Sequence, residues 1–182
     1  IRSIVSAGTT GFLLALPTNS REVYRAAFRT VSGCTNPAVM RLHMEGPFIS
    51  NARRGAHAPE LIMKPVPENV TSLLDESGGT IRMMTVAPEI CTPEVITLLR
   101  ERGITVAAGH SNATFREAMA GFEMGIETTT HLFNAMSPLH HRDPGLPGAA
   151  FLSETACASI IADGIHVDYA MVRIASKIMK ER

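Results

Sequence analysis

Several features are scarce in this sequence, and each absence narrows its class. The chain has three cysteines, Cys34, Cys91 and Cys157, an odd number, far apart and with no Cys-x-x-Cys pair. A disulfide framework is therefore not expected, and a reducing, cytoplasmic setting fits best. All three thiols read as small buried or half-buried side chains. Lys plus Arg number 17 and Asp plus Glu number 17, so no excess of either sign draws the chain to nucleic acid or to an acidic membrane surface. No apolar run approaches the roughly 20 residues that span a bilayer, and no basic-then-apolar segment opens the sequence. No Gly-x-Gly-x-x-Gly follows the first strand candidate and no P-loop pattern occurs anywhere, which weakens nucleotide binding. What remains is a 182-residue chain, 45% hydrophobic and 19% charged, with the material for one globular domain and a sizeable core.

Strand and helix signals alternate along the chain. Continuous apolar or β-branched runs at 10–16, 39–44, 80–87, 104–110, 126–132 and 156–162 read as strands of a parallel sheet covered on both faces. Between them lie punctuated helices. Thr92-Pro93-Glu94 supplies an N-cap, a proline at N1 and a first-turn acid ahead of Val95, Ile96, Leu98 and Leu99, and Gly103 closes that helix. Thr114 and Glu117 have capping-box spacing ahead of Phe115, Met119 and Phe122, with Gly125 as the stop. Asn19 and Glu22 open a helix through Val23, Ala27 and Val31. This βα repeat winds into either a barrel or an open doubly wound sheet. Residues 1–7, followed by Gly8, read as the tail of a helix, and 167–182 as a further helix. Both ends are expected to be interior to a longer barrel. Two irregular stretches, 46–67 and 134–148, follow the second and fifth strands, where loops carry function.

Two successive units run from a helix-stopping glycine through a β-branched run to a histidine: Gly103 to His110 and Gly125 to His131. On adjacent parallel strands both imidazoles emerge at one carboxyl edge, where α/β barrels build their sites. Glu45 ends the second strand at the same rim and adds a hard oxygen ligand, so His₂Glu with an open position becomes a candidate catalytic metal site. His43, two residues earlier, shares the face of Glu45, either as a hydrogen-bond donor behind the site or as a core residue. Asp163 and His166 end the sixth unit and are candidate substrate contacts. Asn134-Ala135-Met136, through its backbone N–H groups and the Asn134 amide, and Arg142 on the same loop are candidate anion contacts.

Six motifs occur in order: Leu42-His43-Met44-Glu45-Gly46-Pro47-Phe48, Gly55-Ala56-His57, Thr85-Val86-Ala87-Pro88-Glu89, Ala108-Gly109-His110-Ser111-Asn112-Ala113, Thr130-His131-Leu132-Phe133-Asn134-Ala135-Met136 and Ile161-Ala162-Asp163-Gly164-Ile165-His166-Val167-Asp168. Together they resemble the N-acetylglucosamine-6-phosphate deacetylases of the amidohydrolase superfamily, over nearly the whole chain. The resemblance implies a partial (β/α) metal-dependent hydrolase barrel over 1–182, about six of eight βα units, with the flanking β-sandwich and the terminal barrel strands outside this sequence. It implies hydrolysis of the acetamide of N-acetylglucosamine 6-phosphate to glucosamine 6-phosphate and acetate, in amino-sugar catabolism, by a homodimer. It implies Glu45, His110 and His131 as ligands of a divalent metal, zinc first, with iron or another divalent ion also able to take the set. Ala56, His57, Asn134, Ala135, Arg142 and His166 fall on positions that hold the sugar phosphate, and Asp163, Gly164 and Ile165 line the same pocket. His57 and Arg142 would contact phosphate, in this or a neighbouring subunit, and His166 would polarise the acetamide carbonyl or hold a sugar hydroxyl. The family's general acid/base is an aspartate ending the eighth strand, which would lie beyond Arg182, and neither Asp143 nor Asp168 matches it. No catalytic proton shuttle is therefore assigned. The competing readings are another amidohydrolase, such as a dihydroorotase-like enzyme, and a catalytically inactive metal-binding piece of barrel. The dihydroorotase-like sites bridge metals with a modified lysine, and here no lysine ends a strand.

Overall fold

The computed structural model describes residues 1–180. Its centre is one sheet of six parallel strands, β1 (Phe12–Pro17), β2 (Val39–Glu45), β3 (Ile81–Val86), β4 (Thr105–Ala108), β5 (Thr128–Thr129) and β6 (Cys157–Ala158), in that spatial order. A doubly wound sheet reverses its strand order at a switch point. Here every strand pairs with its sequence neighbours, so each right-handed crossover steps the same way and lays its helix on the same side. The sheet is thus a run of six βα units of a TIM-like barrel wall, not a Rossmann-type sheet.

Among the described residues seven α-helices accompany it: α1 (Arg2–Ser6), α2 (Arg21–Ser32), α3 (Pro67–Ser77), α4 (Pro93–Glu101), α5 (Phe115–Glu123), α6 (Gly145–Leu152) and α7 (Tyr169–Met179). The Thr92 cap of α4 and the reciprocal Thr114–Glu117 capping box of α5 form as their sequences dictate. In α2 the cap is Ser20, not Asn19, and the buried stripe is Tyr24, Phe28 and Val31, because the aromatic pair buries more area than Val23 and Ala27. Helix α6 begins inside the stretch 134–148 that reads as irregular and runs four residues beyond it. It is apolar all round and almost wholly buried, so it has no amphipathic signature. The expected helix at 167–182 is present as α7, and its last two positions lie outside the described residues.

The core lies between helices and sheet. Met44, Met84 and Val106, in register across β2, β3 and β4, face Val70, Leu73, Val95, Ile96 and Leu99, all fully buried. On the opposite, barrel-interior face stand His43, Glu45 and Thr85. The later strands are shorter than their β-branched runs. The 104–110 run stops pairing at Ala108 and the 126–132 run at Thr129, because His110 (φ 46°) and His131 (φ 39°) turn left-handed and leave the ladder. The 156–162 run pairs only at Cys157 and Ala158. The thiols correct one expectation: Cys34, in the turn after α2, and Cys157 are exposed, and Cys91 alone is half-buried, its thiol pushed up to about 12 by burial. Among the described residues no helix is long and apolar enough to cross a membrane.

Candidate metal centre and substrate cavity

Glu45, His110 and His131 converge at the carboxyl edge of the sheet. Glu45 Oε1 lies 2.8 Å from His110 Nε2 and 2.9 Å from His131 Nε2, and the two Nε2 atoms are 3.1 Å apart. Strand register alone does not achieve this. Ala108 and Thr129 are register partners, and Ala108 belongs to the helix-covered core, so strict alternation would aim both histidines away from the barrel interior. The left-handed turn at each histidine reverses that and swings both imidazoles over Glu45. A non-glycine residue at positive φ costs of order 1–3 kcal/mol, and such strain gathers at functional sites. Gly109 makes room for the first turn: a Cβ there would lie 2.8 Å from Thr85 Cγ2 and 3.0 Å from Thr130 Cβ.

The loop after β2 clasps His110. The Ser50 N–H donates to the His110 carbonyl (2.8 Å), and His110 Nδ1 donates to the Arg53 carbonyl (3.0 Å). A carbonyl can only accept, so the neutral His110 ring carries its proton on Nδ1 and leaves Nε2 as a bare lone pair. That lone pair faces the Glu45 carboxylate, whose pKa is held far below its ordinary value only when His110 and His131 carry protons toward it and donate, against the opposing effect of burial. His131 Nδ1 is buried without a hydrogen-bond partner, so no protein group dictates that ring's tautomer. Converging electron-pair donors of the His₂Glu type, with one ring already in the metal-binding tautomer, fit a divalent cation.

Glu89, in a motif without an assigned role, locks the far side of the same turn. Its carboxylate accepts from Ser111 Oγ (2.7 Å) and the Asn112 N–H (2.6 Å). Its sequence signal was proximity to the end of β3, which by itself names no partner.

The triad opens into a cavity of about 750 Å³. Of the expected substrate residues, Ala56, His57, Asn134 and His166 line it. Pro17, Thr18, Asn19, Leu61 and Ile161 line it as well and were not legible as site residues, since single apolar or uncharged polar side chains at a strand end or in loops carry no pattern that names a site. Ala135, Arg142, Asp163, Gly164 and Ile165 lie outside that lining. Arg142 is exposed, with Nε donating to His141 Nε2 at 3.2 Å, and Ile165 is 88% exposed. Asp163 acts through its neighbour: its carboxylate accepts from the N–H groups of Ile165 and His166 and lies 2.7 Å from His166 Nδ1, a contact that lowers its pKa to about 2. The Asn134 N–H donates to the His131 carbonyl and its Nδ2 to the Leu132 carbonyl (3.4 Å), so of that residue's expected anion donors only the second amide hydrogen is left for a ligand. Asp143 and Asp168 are also outside the lining, and Asp168 caps α7 through the Ala170 N–H.

His57 is 6% exposed and packs edge-on against His110, ring centroids 4.5 Å apart. The Thr18 N–H donates to its Nδ1 (3.2 Å), so the neutral ring carries its proton on Nε2, and burial pushes its pKa down.

A parallel barrel wall carrying Glu, His and His at its carboxyl edge beside an open cavity defines the metal-dependent hydrolase barrels as a class. The sequence matches the Amidohydrolase family over residues 1–182, and this chain belongs to that family. It is similar to the N-acetylglucosamine-6-phosphate deacetylases of Lysinibacillus sphaericus (35% identical, covering 96% of this chain and 46% of the relative) and Homo sapiens (39%, 97% and 46%). It is also similar to an N-acetylgalactosamine-6-phosphate deacetylase of Shewanella sp. (strain ANA-3) (39%, 88% and 41%). Among solved structures, the N-acetyl-D-glucosamine-6-phosphate deacetylase of Mycobacterium smegmatis superposes with a TM-score of 0.88 at 33% identity, covering 94% of this chain and 46% of that one. The Thermotoga maritima N-acetylglucosamine-6-phosphate deacetylase gives 0.85 at 34%, covering 98% and 49%. The chain spans about half the length of the curated relatives it matches.

Proposed function

We propose that this chain carries the metal and part of the substrate site of a deacetylase that hydrolyses the acetamide of an N-acetylhexosamine 6-phosphate, N-acetylglucosamine 6-phosphate first. The observation that carries this reading is the meeting of Glu45, His110 and His131 in one cavity with His57, Asn134 and His166. The activities named for the similar proteins supply the substrate class, and one M. smegmatis structure is a complex with N-acetyl-D-glucosamine-6-phosphate.

Glu45, His110 and His131 would hold a divalent ion, zinc in the first instance, and that ion would supply Lewis-acid chemistry to an amide carbonyl or a water. The chain's own residues do the rest. His57 presents an Nε2–H beside the triad, which suits it to donate to the oxygen that gains charge as the amide carbon becomes tetrahedral. Its buried place against His110 favours this over the phosphate contact expected from the motif. His166, held through Nδ1 by Asp163, offers its other ring nitrogen to a sugar hydroxyl, and the Asn134 amide to the phosphate end. No Arg or Lys lines the described cavity, so Arg142 would reach phosphate only through a rearranged loop or from a second copy in a homodimer. The aspartate that would shuttle the proton and the β-sandwich belong, on this reading, to parts of the protein outside this sequence, and the setting is cytoplasmic.

A second reading keeps the chemistry and changes the epimer, because the galactosamine enzyme is as similar as the human glucosamine enzyme. Acetate release from both N-acetylhexosamine 6-phosphates, measured on metal-analysed full-length protein, tests both. Turnover of neither by zinc-loaded protein overturns the proposal. Strand ends occupied by Pro17, Glu45, Val86, Ala108, Thr129 and Ala158 leave no lysine to bridge two metals in the dihydroorotase manner.

A further inference from the structure

Strand β3 gives no ligand to the triad, yet its Thr85 touches the neighbours of all three. Thr85 is the register partner of Glu45. Its hydroxyl lies 2.7 Å from Thr130 Oγ1, and Thr130 immediately precedes His131. The same hydroxyl lies 2.7 Å from His43 Nε2, and His43 shares the interior face of Glu45. Between β3 and β5 runs β4, and the Thr85–Thr130 bond passes it only because position 109, immediately before His110, has no side chain. A Cβ at Gly109 would lie 2.8 Å from Thr85 Cγ2 and 3.0 Å from Thr130 Cβ. Thr85 is 0% and Thr130 6% exposed, so water does not readily replace either partner. Whichever hydroxyl donates, the chain His43–Thr85–Thr130 straps β2, β3 and the end of β5 together beneath the two left-handed turns.

We infer that Thr85 is a positioning residue for the metal centre: its hydroxyl, bonded across Gly109 to Thr130 and back to His43, holds the strained turns that aim His110 and His131 at Glu45. Residues at φ 46° and 39° relax unless their surroundings over-determine them. The strap supplies that constraint from below, while the 50–53 loop and Glu89 supply it from outside. Loss of the Thr85 hydroxyl leaves the buried Thr130 hydroxyl and the half-buried His43 Nε2 without that partner and frees the turns, so the ligand atoms no longer meet at one point.

This inference rests on the metal reading of the triad, and the test separates the two. Zn²⁺ affinity of the full-length protein is measured by competition with a chromogenic chelator, and the Co²⁺ form is examined by visible absorption. Thr85→Val, which keeps volume and removes the hydroxyl, weakens Zn²⁺ about tenfold and alters the Co²⁺ spectrum, whereas Thr85→Ser stays within about threefold of the parent. Gly109→Ala gives a similar loss, and the double variant is no weaker than the weaker single one, because both changes break one strap. A Thr85→Val protein that binds Zn²⁺ like the parent overturns the inference, and so does a Thr85→Ser protein that loses as much as Thr85→Val. If Thr85→Val does not fold, Thr130→Val against Thr130→Ser makes the same comparison, and the same two outcomes overturn the inference. A parent protein that binds no Zn²⁺ overturns both this inference and the metal reading.

Discussion

His110 and His131 leave neighbouring strands by the same left-handed turn, and their Nε2 atoms meet 3.1 Å apart over one oxygen of Glu45. Two bare or half-bare imidazole nitrogens at that separation have no reason to approach each other in an apolar setting. A carboxylate oxygen does not draw them together either, since it too only accepts; three acceptor atoms this close form the arrangement that a divalent cation among them would satisfy.

Substitutions at that meeting point should therefore remove the metal. Glu45→Gln, His110→Ala and His131→Ala each lose stoichiometric zinc, with affinity down by more than about 100-fold, since removing a ligand costs more than removing a group behind one. Elemental analysis after gel filtration reads the outcome. Full occupancy in all three variants would sink the assignment.

Asp163 holds His166 through two oxygens, one against the ring and one against the backbone N–H. Asp163→Ala should lower kcat/KM for the sugar phosphate about tenfold, chiefly through KM, while leaving zinc content unchanged. Since the Asp163 pKa is about 2, the defect should be constant across the neutral and mildly acidic range. Unchanged KM would show that His166 does not contact substrate in the way proposed.

The stability of the metal-free chain should fall as the solution is acidified through the imidazole range. Burial holds both His43 and His57 below the ordinary value of 6.5 in the folded chain. Unfolded, each titrates near that value, so between the two pKa values the unfolded chain binds more protons and stability rises with pH. The contribution is fully present above about pH 6.5 and is lost as pH drops below it. Melting with a chelator present should show this decline from about pH 7 to 5, and His57→Asn should flatten it. A melting temperature that rises on acidification over this interval would contradict the assignment.

At the start of α5 the expected effect is purely local. Thr114 accepts from the Glu117 N–H, and Glu117 accepts from the Thr114 N–H. Thr114→Ala should cost about 1 kcal/mol in urea unfolding at an unchanged m-value. A midpoint that does not move would mean the N-terminal turn of α5 frays in the native chain.

Much of this was legible in the chain alone, for identifiable reasons. Caps such as Thr92 and Thr114 are read over three or four residues, and the hydrogen bonds they announce are made within that span, so tertiary packing has little chance to override them. Unbroken apolar or β-branched runs located all six strands, but the expected cover on both faces fails at the ends of the sheet: β1 has no buried residue and Cys157 of β6 is exposed. Helix α6 was hidden because a helix buried on every side has no polar face to give it a period. The α2 stripe was misplaced because period alone does not choose between two faces when one holds Tyr24 and Phe28.

The same division holds at the site. The sequence by itself determined that Glu45, His110 and His131 stand at strand ends on one rim, because βα periodicity places equivalent positions of successive units at equivalent heights. It also determined the residue types, a ligand set suited to a divalent metal. The tertiary structure alone decided that the two histidines point inward. That direction depends on backbone conformations that violate strand alternation, on the empty space over Gly109, and on contacts from Ser50, Arg53, Glu89 and Thr130, some of them more than fifty residues away. Strained φ values are held by whatever packs around them, and a linear pattern carries no record of that packing.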